Sequence, residues 1–418
     1  MTIYGIKESL VAPLIRELSR ESTPDDIDGE RMLERHALAT WTGIAEPGDR
    51  MAGALVSALG AADALAAVYE RWDAAMIVTA VAERIGGAAS SLSEAEVAAA
   101  LARWHPRVDS TVALVALRQA ARWGVHLVVP GDVAWPRGVD DLGEHAPLAL
   151  WVRGNLSTLS TAGTSIALVG ARAATGYGEH VTMEASAGLV DRGYTIVSGA
   201  AYGIDGMAHR AALASAGQTI AVLAGGVDRF YPSGHEALLT RIVEKGAVIS
   251  ELPCGSSPTK WRFLQRNRII AAMSRATVVL EAGWRSGSLN TAGHASTLGR
   301  PLGAVPGPVT SAASTGCHRL IRDFDAVCVT TPDEMAELAP LDSLTMPSTE
   351  VGADTDGGRR TPETTRVIDA LSSRSPRSTA NVAARAGLSL AQVQSVLGVL
   401  ELEGQARERE QGWVVATR

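Results

Sequence analysis

The spacing of apolar positions changes twice along the chain, and each change marks a different kind of element. Up to about residue 125 it is helical. Ala- and Leu-rich segments at Ser9–Ser19, Arg31–Thr42, Arg50–Leu59, Ala61–Tyr69, Ala75–Ile85, Leu92–Trp104 and Ser110–Trp123 are separated by turns bearing Gly, Pro or Asp. Gly43 and Gly60 fall near helix ends and read as helix stops. The same positions would suit units of the helix–hairpin–helix or SAM-like kind, whose backbone amides hold phosphate.

From His126 to Gly154, apolar runs punctuated by Pro and Gly predict short strands leading into a second region. Between Ser165 and Val329 the runs Ser165–Gly170, Tyr194–Ser198, Thr219–Leu223, Ala247–Ser250, Thr277–Leu280 and Pro301–Val305 are short and almost continuously apolar, with helical segments between them. Strands covered on both faces by helices have that pattern. Past Cys328, Ser343–Arg360 is rich in Pro, Ser, Thr, Gly and Asp without an apolar period, which predicts a flexible linker. Thr361–Arg418 then reads as helices Glu363–Leu371, Thr379–Ala386 and Ser389–Glu403 and a hairpin around Arg407–Val415. The expected fold is therefore α/β: an α-helical N-terminal domain over 1–125, an extended, Rossmann-like, doubly wound parallel sheet over 126–340, a linker over 341–360 and a small winged-helix module over 361–418. The recognition-like helix of that module carries Gln392, Gln394 and Ser395 but no Lys or Arg, which leaves duplex binding and protein contact equally open.

Composition narrows the function. The 418 residues carry a net charge of -7, which argues against broad adhesion to nucleic acid or anionic membrane and leaves room for a focused basic cleft. Aromatic residues make up only 4% of the chain, so the core must be aliphatic. Cys254, Cys317 and Cys328 have neither paired nor metal-ligand spacing and read as reduced thiols. No apolar run is long enough to span a bilayer and no signal-peptide pattern opens the chain, which predicts a cytoplasmic protein with no membrane partner.

Three predicted strands run into glycine-rich turns that open a helix: Gly170–Gly178 with Arg172, Ser198–Gly206, and Glu281–Ser288 with Arg285. Glycine lets the backbone approach an anion, and the free amides and dipole of the following helix attract it. Three such loops on one rim imply a phosphate-rich ligand. A Walker motif, a G-x-G-x-x-G turn and a G-x-S-x-G elbow are all missing, which sets aside a triphosphatase, a dinucleotide enzyme and a serine hydrolase. Asp205, just ahead of a helix, reads equally as an N-cap.

Lys260–Arg275 adds the charge. Lys260, Arg262, Arg266, Arg268 and Arg275 occur there without an acid, Trp261 and Phe263 are interleaved, and Ile269, Ile270 and Met273 form a buried helical stripe. Cations for phosphates and rings for unstacked bases are what a single strand of nucleic acid requires.

Together, Ser198–His209, Ala221–Pro232, Arg266-Asn267-Arg268, Glu281–Ser288 and Val305–Gly307 resemble the DprA/Smf family of DNA-processing proteins, in order and over roughly residues 125–330. The resemblance implies a Rossmann-like domain that binds single-stranded DNA, forms a homodimer, loads RecA recombinase, and uses no cofactor or metal. It implies DNA contacts at Gly170 and Arg172, at Ser198, Gly199, Tyr202, Gly203 and Asp205, at Lys260, Phe263, Arg266, Asn267 and Arg268, and at Arg285, Ser286, Gly287 and Ser288. This chain departs from the family in having Tyr202 where an Arg is usual and Leu264-Gln265 after Phe263. A second resemblance, to phosphoribohydrolases that cleave nucleoside monophosphates, is weaker: the loop after Glu281 lacks the double glycine and its acid precedes the loop.

Overall fold

In the computed structural model, which describes residues 2–19, 28–84, 92–341 and, within 362–416, all but 373, 374, 387, 403, 410 and 411, the Asp and Ser residues that interrupt the N-terminal apolar pattern are helix caps. The helices are α1 (Glu8–Ser19), α2 (Gly29–Ile44), α3 (Arg50–Leu59), α4 (Ala61–Tyr69), α5 (Ala74–Arg84), α6 (Glu94–Trp104) and α7 (Ser110–Arg122). Asp28 accepts from the Arg31 amide at 2.8 Å ahead of α2, Asp49 from the Met51 amide at 3.0 Å ahead of α3, and Ser93 and Glu96 cap α6 reciprocally. Gly60, at φ 86°, is the joint between α3 and α4, whereas Gly43 lies within the last turn of α2. Of the expected linker 341–360 only Leu341 lies within the described residues.

The chain divides into two compact units, 1–343 and 344–418. The first is built on a sheet of β1 (His126–Val128), β2 (Leu150–Gly154), β3 (Ser165–Gly170), β4 (Thr195–Ser198), β5 (Thr219–Val222), β6 (Ala247–Ser250), β7 (Ala276–Glu281), β8 (Leu302–Ala304) and β9 (Val327–Cys328). Their spatial order is β9-β8-β7-β3-β4-β5-β6-β2-β1. From β9 to β6 every pairing is parallel, with Ala167 beside Thr277 and Val197 beside Ile220; β2 and β1 extend the sheet antiparallel, Trp151 facing Ser250. After β3 the chain builds outward through β4, β5 and β6, then returns to place β7 on the other side of β3. The crevice at that reversal, beyond the strands' carboxyl ends, is where doubly wound sheets take ligands.

Alternation along each strand separates two cores. Ile166, Leu168, Ile196 and Val278 pack with Ala185, Leu189 and Ala212 from helices α8 (Gly176–Asp191) and α9 (Ile204–Ala214). Helix α10 (Glu236–Lys245) follows β5. Ala167, Val169, Val197 and Val279 pack on the other face with Ile269, Ile270 and Met273 from α11 (Lys260–Met273), the stripe expected from the sequence, and with α12 (Ser288–Thr297) and α13 (Thr315–Asp323). The N-terminal helices share a core with the sheet: Trp41, Leu55 and Leu65 belong to one cluster with Leu127, Trp151, Val248 and Leu239. Trp151 donates to the Thr42 hydroxyl at 3.1 Å, and the Arg35–Asp132 pair, 2.7 Å apart and almost wholly buried, ties α2 to the loop after β1. No break in packing falls at residue 125.

Among its described residues the second unit has three helices, α14 (Pro362–Ala370), α15 (Thr379–Ala386) and α16 (Leu390–Leu402), and a hairpin of Ala406–Arg409 with Gly412–Val415, around Val367, Val382, Val393, Leu397 and Trp413. This is the winged-helix arrangement predicted. Gln392, Gln394 and Ser395 are exposed on α16. Among the described residues no single helix is long and apolar enough to cross a membrane, and no cluster of His, Cys, Asp or Glu is placed to hold a metal ion.

Two buried histidines give the first unit a pH dependence. His36 on α2 has no hydrogen-bond partner at either ring nitrogen, and burial pushes its pKa down to about 4. His209 on α9 shares a 2.7 Å hydrogen bond with the Thr219 hydroxyl and leaves Nε2 unpartnered; burial, then the charges of His235 and Arg266, push it down to about 3. In the unfolded chain both take up a proton near pH 6.5. The stability contributed by their neutral forms is therefore complete above that pH and is lost as pH falls towards 4 and 3. Urea unfolding followed from about pH 7.5 to about pH 5 should show a loss of roughly 2–4 kcal/mol. His36→Gln should flatten the slope, and an unchanged slope would remove His36 from the account.

Candidate nucleic-acid interface

A cleft of about 1010 Å³ opens at the reversal point, between the loop after β3 and the loop after β7, with α11 as its wall. Its charged lining is four cations, Arg172, Lys260, Arg266 and Arg285, against one acid, Asp205. In a chain of net charge -7 that is a local reversal of sign.

At Gly203 and Gly199 the first two loops are held by close contacts that leave no room for a side chain. Gly203, at φ 76°, brings its Cα so near the first loop that a Cβ would lie 2.3 Å from the Ala171 carbonyl oxygen; the next amide, Ile204, donates to that same oxygen at 3.1 Å. At Gly199 a Cβ would lie 2.2 Å from the Arg266 guanidinium. Arg266 is buried, and its Nη1 donates to the carbonyls of Gly199 and Val222, at the ends of β4 and β5, while Nε donates to Asn267 Oδ1 at 3.2 Å. Burial pushes its pKa down to about 10, with Asp205 opposing, so it remains a cation at neutral pH. Asp205 itself is raised above the usual carboxylate range by burial, and Arg266 pulls it back. Asn267 reaches the third loop, donating to Asn290 Oδ1 at 3.2 Å and to the Gly287 carbonyl at 3.4 Å.

Gly170, Arg172, Asp205, Lys260, Phe263 and Arg266 line this one cleft. So do Asn267 and the run Arg285, Ser286, Gly287 and Ser288, where α12 begins and the Ser286 and Ser288 hydroxyls lie 2.7 Å apart. Five other expected contacts lie elsewhere. Ser198 is buried and donates to the Leu168 carbonyl at 2.6 Å. Gly199 and Gly203 are covered by Arg266 and by the first loop. Tyr202 is half-exposed outside the cleft lining, packed edge-on against His235 at 4.8 Å. Arg268 is buried against the Glu251 carboxylate, with Nη2 2.7 and 2.6 Å from its two oxygens.

The helical repeat explains the division of α11. Lys260, Phe263, Leu264 and Asn267, at i, i+3, i+4 and i+7, share the cleft face. Trp261 and Gln265 line a separate hollow of about 640 Å³ beside Glu46–Met51. Arg262 is bound to Glu46 at 3.0 and 2.8 Å, and Arg275 lies past the end of the helix. Two further lining residues, Tyr231 and Trp284, each about half-exposed, fall inside the Ala221–Pro232 and Glu281–Ser288 motifs, whose spacing does not mark them as contacts. Glu281, the acid of the phosphoribohydrolase comparison, is buried, and its two carboxylate oxygens accept from the Thr175 amide at 2.9 Å and hydroxyl at 2.6 Å.

A Rossmann-like sheet with a basic, glycine-edged crevice at its reversal point defines a class of domain that receives phosphate-bearing ligands. The family model for DNA recombination-mediator protein A matches residues 126–340, and that for the DprA winged helix domain matches residues 352–412. A putative DNA processing protein DprA of Mycobacterium tuberculosis is 45% identical over 303 residues, 70% of this chain and 77% of that protein. DNA processing protein DprA of Streptococcus pneumoniae is 41% identical over 192 residues, 46% of this chain and 67% of its own length. An X-ray structure of DprA from Streptococcus pneumoniae aligns with a TM-score of 0.56 at 28% identity, covering 75% of this chain and 98% of that one. The chain belongs to the DNA recombination-mediator protein A family, also called DprA/Smf.

The burial of Arg268 predicts a stability effect for its removal. Arg268→Ala leaves the Glu251 carboxylate buried without its cation and should lower unfolding stability by roughly 3–5 kcal/mol, read from urea denaturation. Combining Arg268→Met with Glu251→Gln should restore much of the loss. No recovery in the double variant would show that the pair is not what Arg268 contributes.

Proposed function

We propose that the cleft holds single-stranded DNA, and that the protein acts in the cytoplasm as a homodimer that protects such strands and passes them to RecA recombinase. The observation that carries this reading is the convergence of Arg172, Lys260, Arg266 and Arg285 with the α12 amides and Phe263 in one trough. Phosphates meet guanidinium, ammonium and bare amides along it, and bases meet rings; neither interaction depends on sequence. The mode is binding without covalent chemistry. Family membership supports the recombination role, and the partnership with RecA and the dimer follow from the resemblance.

Filter binding of oligothymidylate should weaken with salt at a slope of about -0.7 per phosphate contacted, and an equal length of duplex should bind much less tightly. Arg172→Ala and Lys260→Ala, both at exposed cleft positions, should each weaken single-stranded oligonucleotides of any sequence by roughly 1–3 kcal/mol and reduce the salt slope. Equal affinity for duplex and single strand, or unchanged slopes in both variants, would sink the reading. For the RecA step, the protein should enable RecA to displace a single-strand-binding protein from the DNA.

A further inference from the structure

The chain has 18 aromatic residues, nine Trp, six Tyr and three Phe, of which Trp41, Trp104 and Trp151 are completely buried. Tyr231 and Trp284, by contrast, are 51% and 53% exposed and line the same cleft. Each is also backed by another group. The Tyr231 ring lies 5.6 Å from that of Phe263 at a tilt of 53°. Its loop is anchored at Asp228, which accepts from Gln119 Nε2 and from the Gly255 amide, both at 2.9 Å. The Trp284 ring has the Arg319 guanidinium 4.9 Å from its centroid, and Arg319 in turn lies 5.4 Å from the Phe324 ring and 3.9 Å from Asp323. A ring braced on one side and open on the other is a pre-organised surface for stacking.

Phe263, the ring expected from sequence to meet bases, lines the same cleft and also braces its neighbours. Arg172 lies 5.0 Å and Arg266 5.9 Å from its centroid, and Tyr231 packs on it as well. It holds Arg172 over the cleft by a cation–π contact and supports Tyr231.

We infer that Tyr231 and Trp284 are the base platforms of the cleft and the residues by which it tells unpaired bases from paired ones. The inference rests on the single-stranded-DNA reading and deepens it. Tyr231 lies in the loop after β5 and Trp284 in the loop after β7, with β3 and β4 between those strands in the sheet, so the two rings meet different bases of one strand. A duplex keeps its bases facing one another and offers neither ring a free face.

The test uses the full chain and two probes of equal length, oligothymidylate and an abasic deoxyribose-phosphate strand. Tyr231→Ala and Trp284→Ala should each weaken the thymidylate probe roughly tenfold, leave the abasic strand bound as by wild type, and leave the salt slope unchanged. Tyr231→Phe and Trp284→Phe, which keep a ring, should stay within about threefold of wild type. Equal losses on both probes would make the rings structural supports, and no loss on either would remove them from the site; both outcomes overturn the inference. If wild type itself binds neither probe, it is the single-stranded-DNA reading that fails.

Discussion

Everything at the cleft depends on how α11 is fastened to the carboxyl ends of the strands. Parallel strands leave carbonyls there with no further ladder to bond, and a buried guanidinium needs acceptors to offset the loss of its hydration. Arg266 meets both requirements at once by donating to Gly199 and Val222. Its neighbours extend the connection, Asn267 to the loop after β7 and Arg268 to Glu251 after β6. Three consecutive residues thus hold the ends of β4, β5, β6 and β7 in register with one helix. That helix presents Lys260 and Phe263 to the ligand side, so the latch also sets the shape of the trough.

The same economy governs charge. Much of the chain's arginine is paired: Arg35 with Asp132, Arg262 with Glu46, Arg300 with Asp141, Arg192 with Asp333. Arg172, Lys260 and Arg285 have no carboxylate partner among the described residues and share the cleft. Without carboxylate partners, these three cations keep their charge available to an anion in a molecule that is acidic overall.

How far this could be read from sequence depends on the range of the interactions. Helices and parallel strands were legible because their signal is local: period, cap and glycine turn lie within a few residues. The antiparallel extension was not, since nothing in Leu150–Gly154 says that it will pair with Ala247–Ser250 almost a hundred residues on. The run of cations in α11 was legible as basic but not as divided. Arg268 and Lys260 are both cations on one short helix, and only the position of Glu251, brought close by the fold, turns Arg268 inward. Tyr231 and Trp284 stood in recognised motifs, yet their role depends on exposure, which no spacing records.

Glycine shows the limit most clearly. From sequence all three glycine loops read as places where bare backbone approaches a phosphate. In the folded chain Gly199 and Gly203 spend that freedom on the protein itself, one against Arg266 and the other against the Ala171 carbonyl. At Gly287, in the third loop, an added Cβ would meet nothing within 4 Å, although the residue lines the cleft and precedes the first turn of α12. The loop after β7 thus leaves room at Gly287 for a phosphate to approach bare peptide, next to Arg285 and at the positive end of a helix, while Gly199 and Gly203 serve the packing of Arg266 and of the first loop.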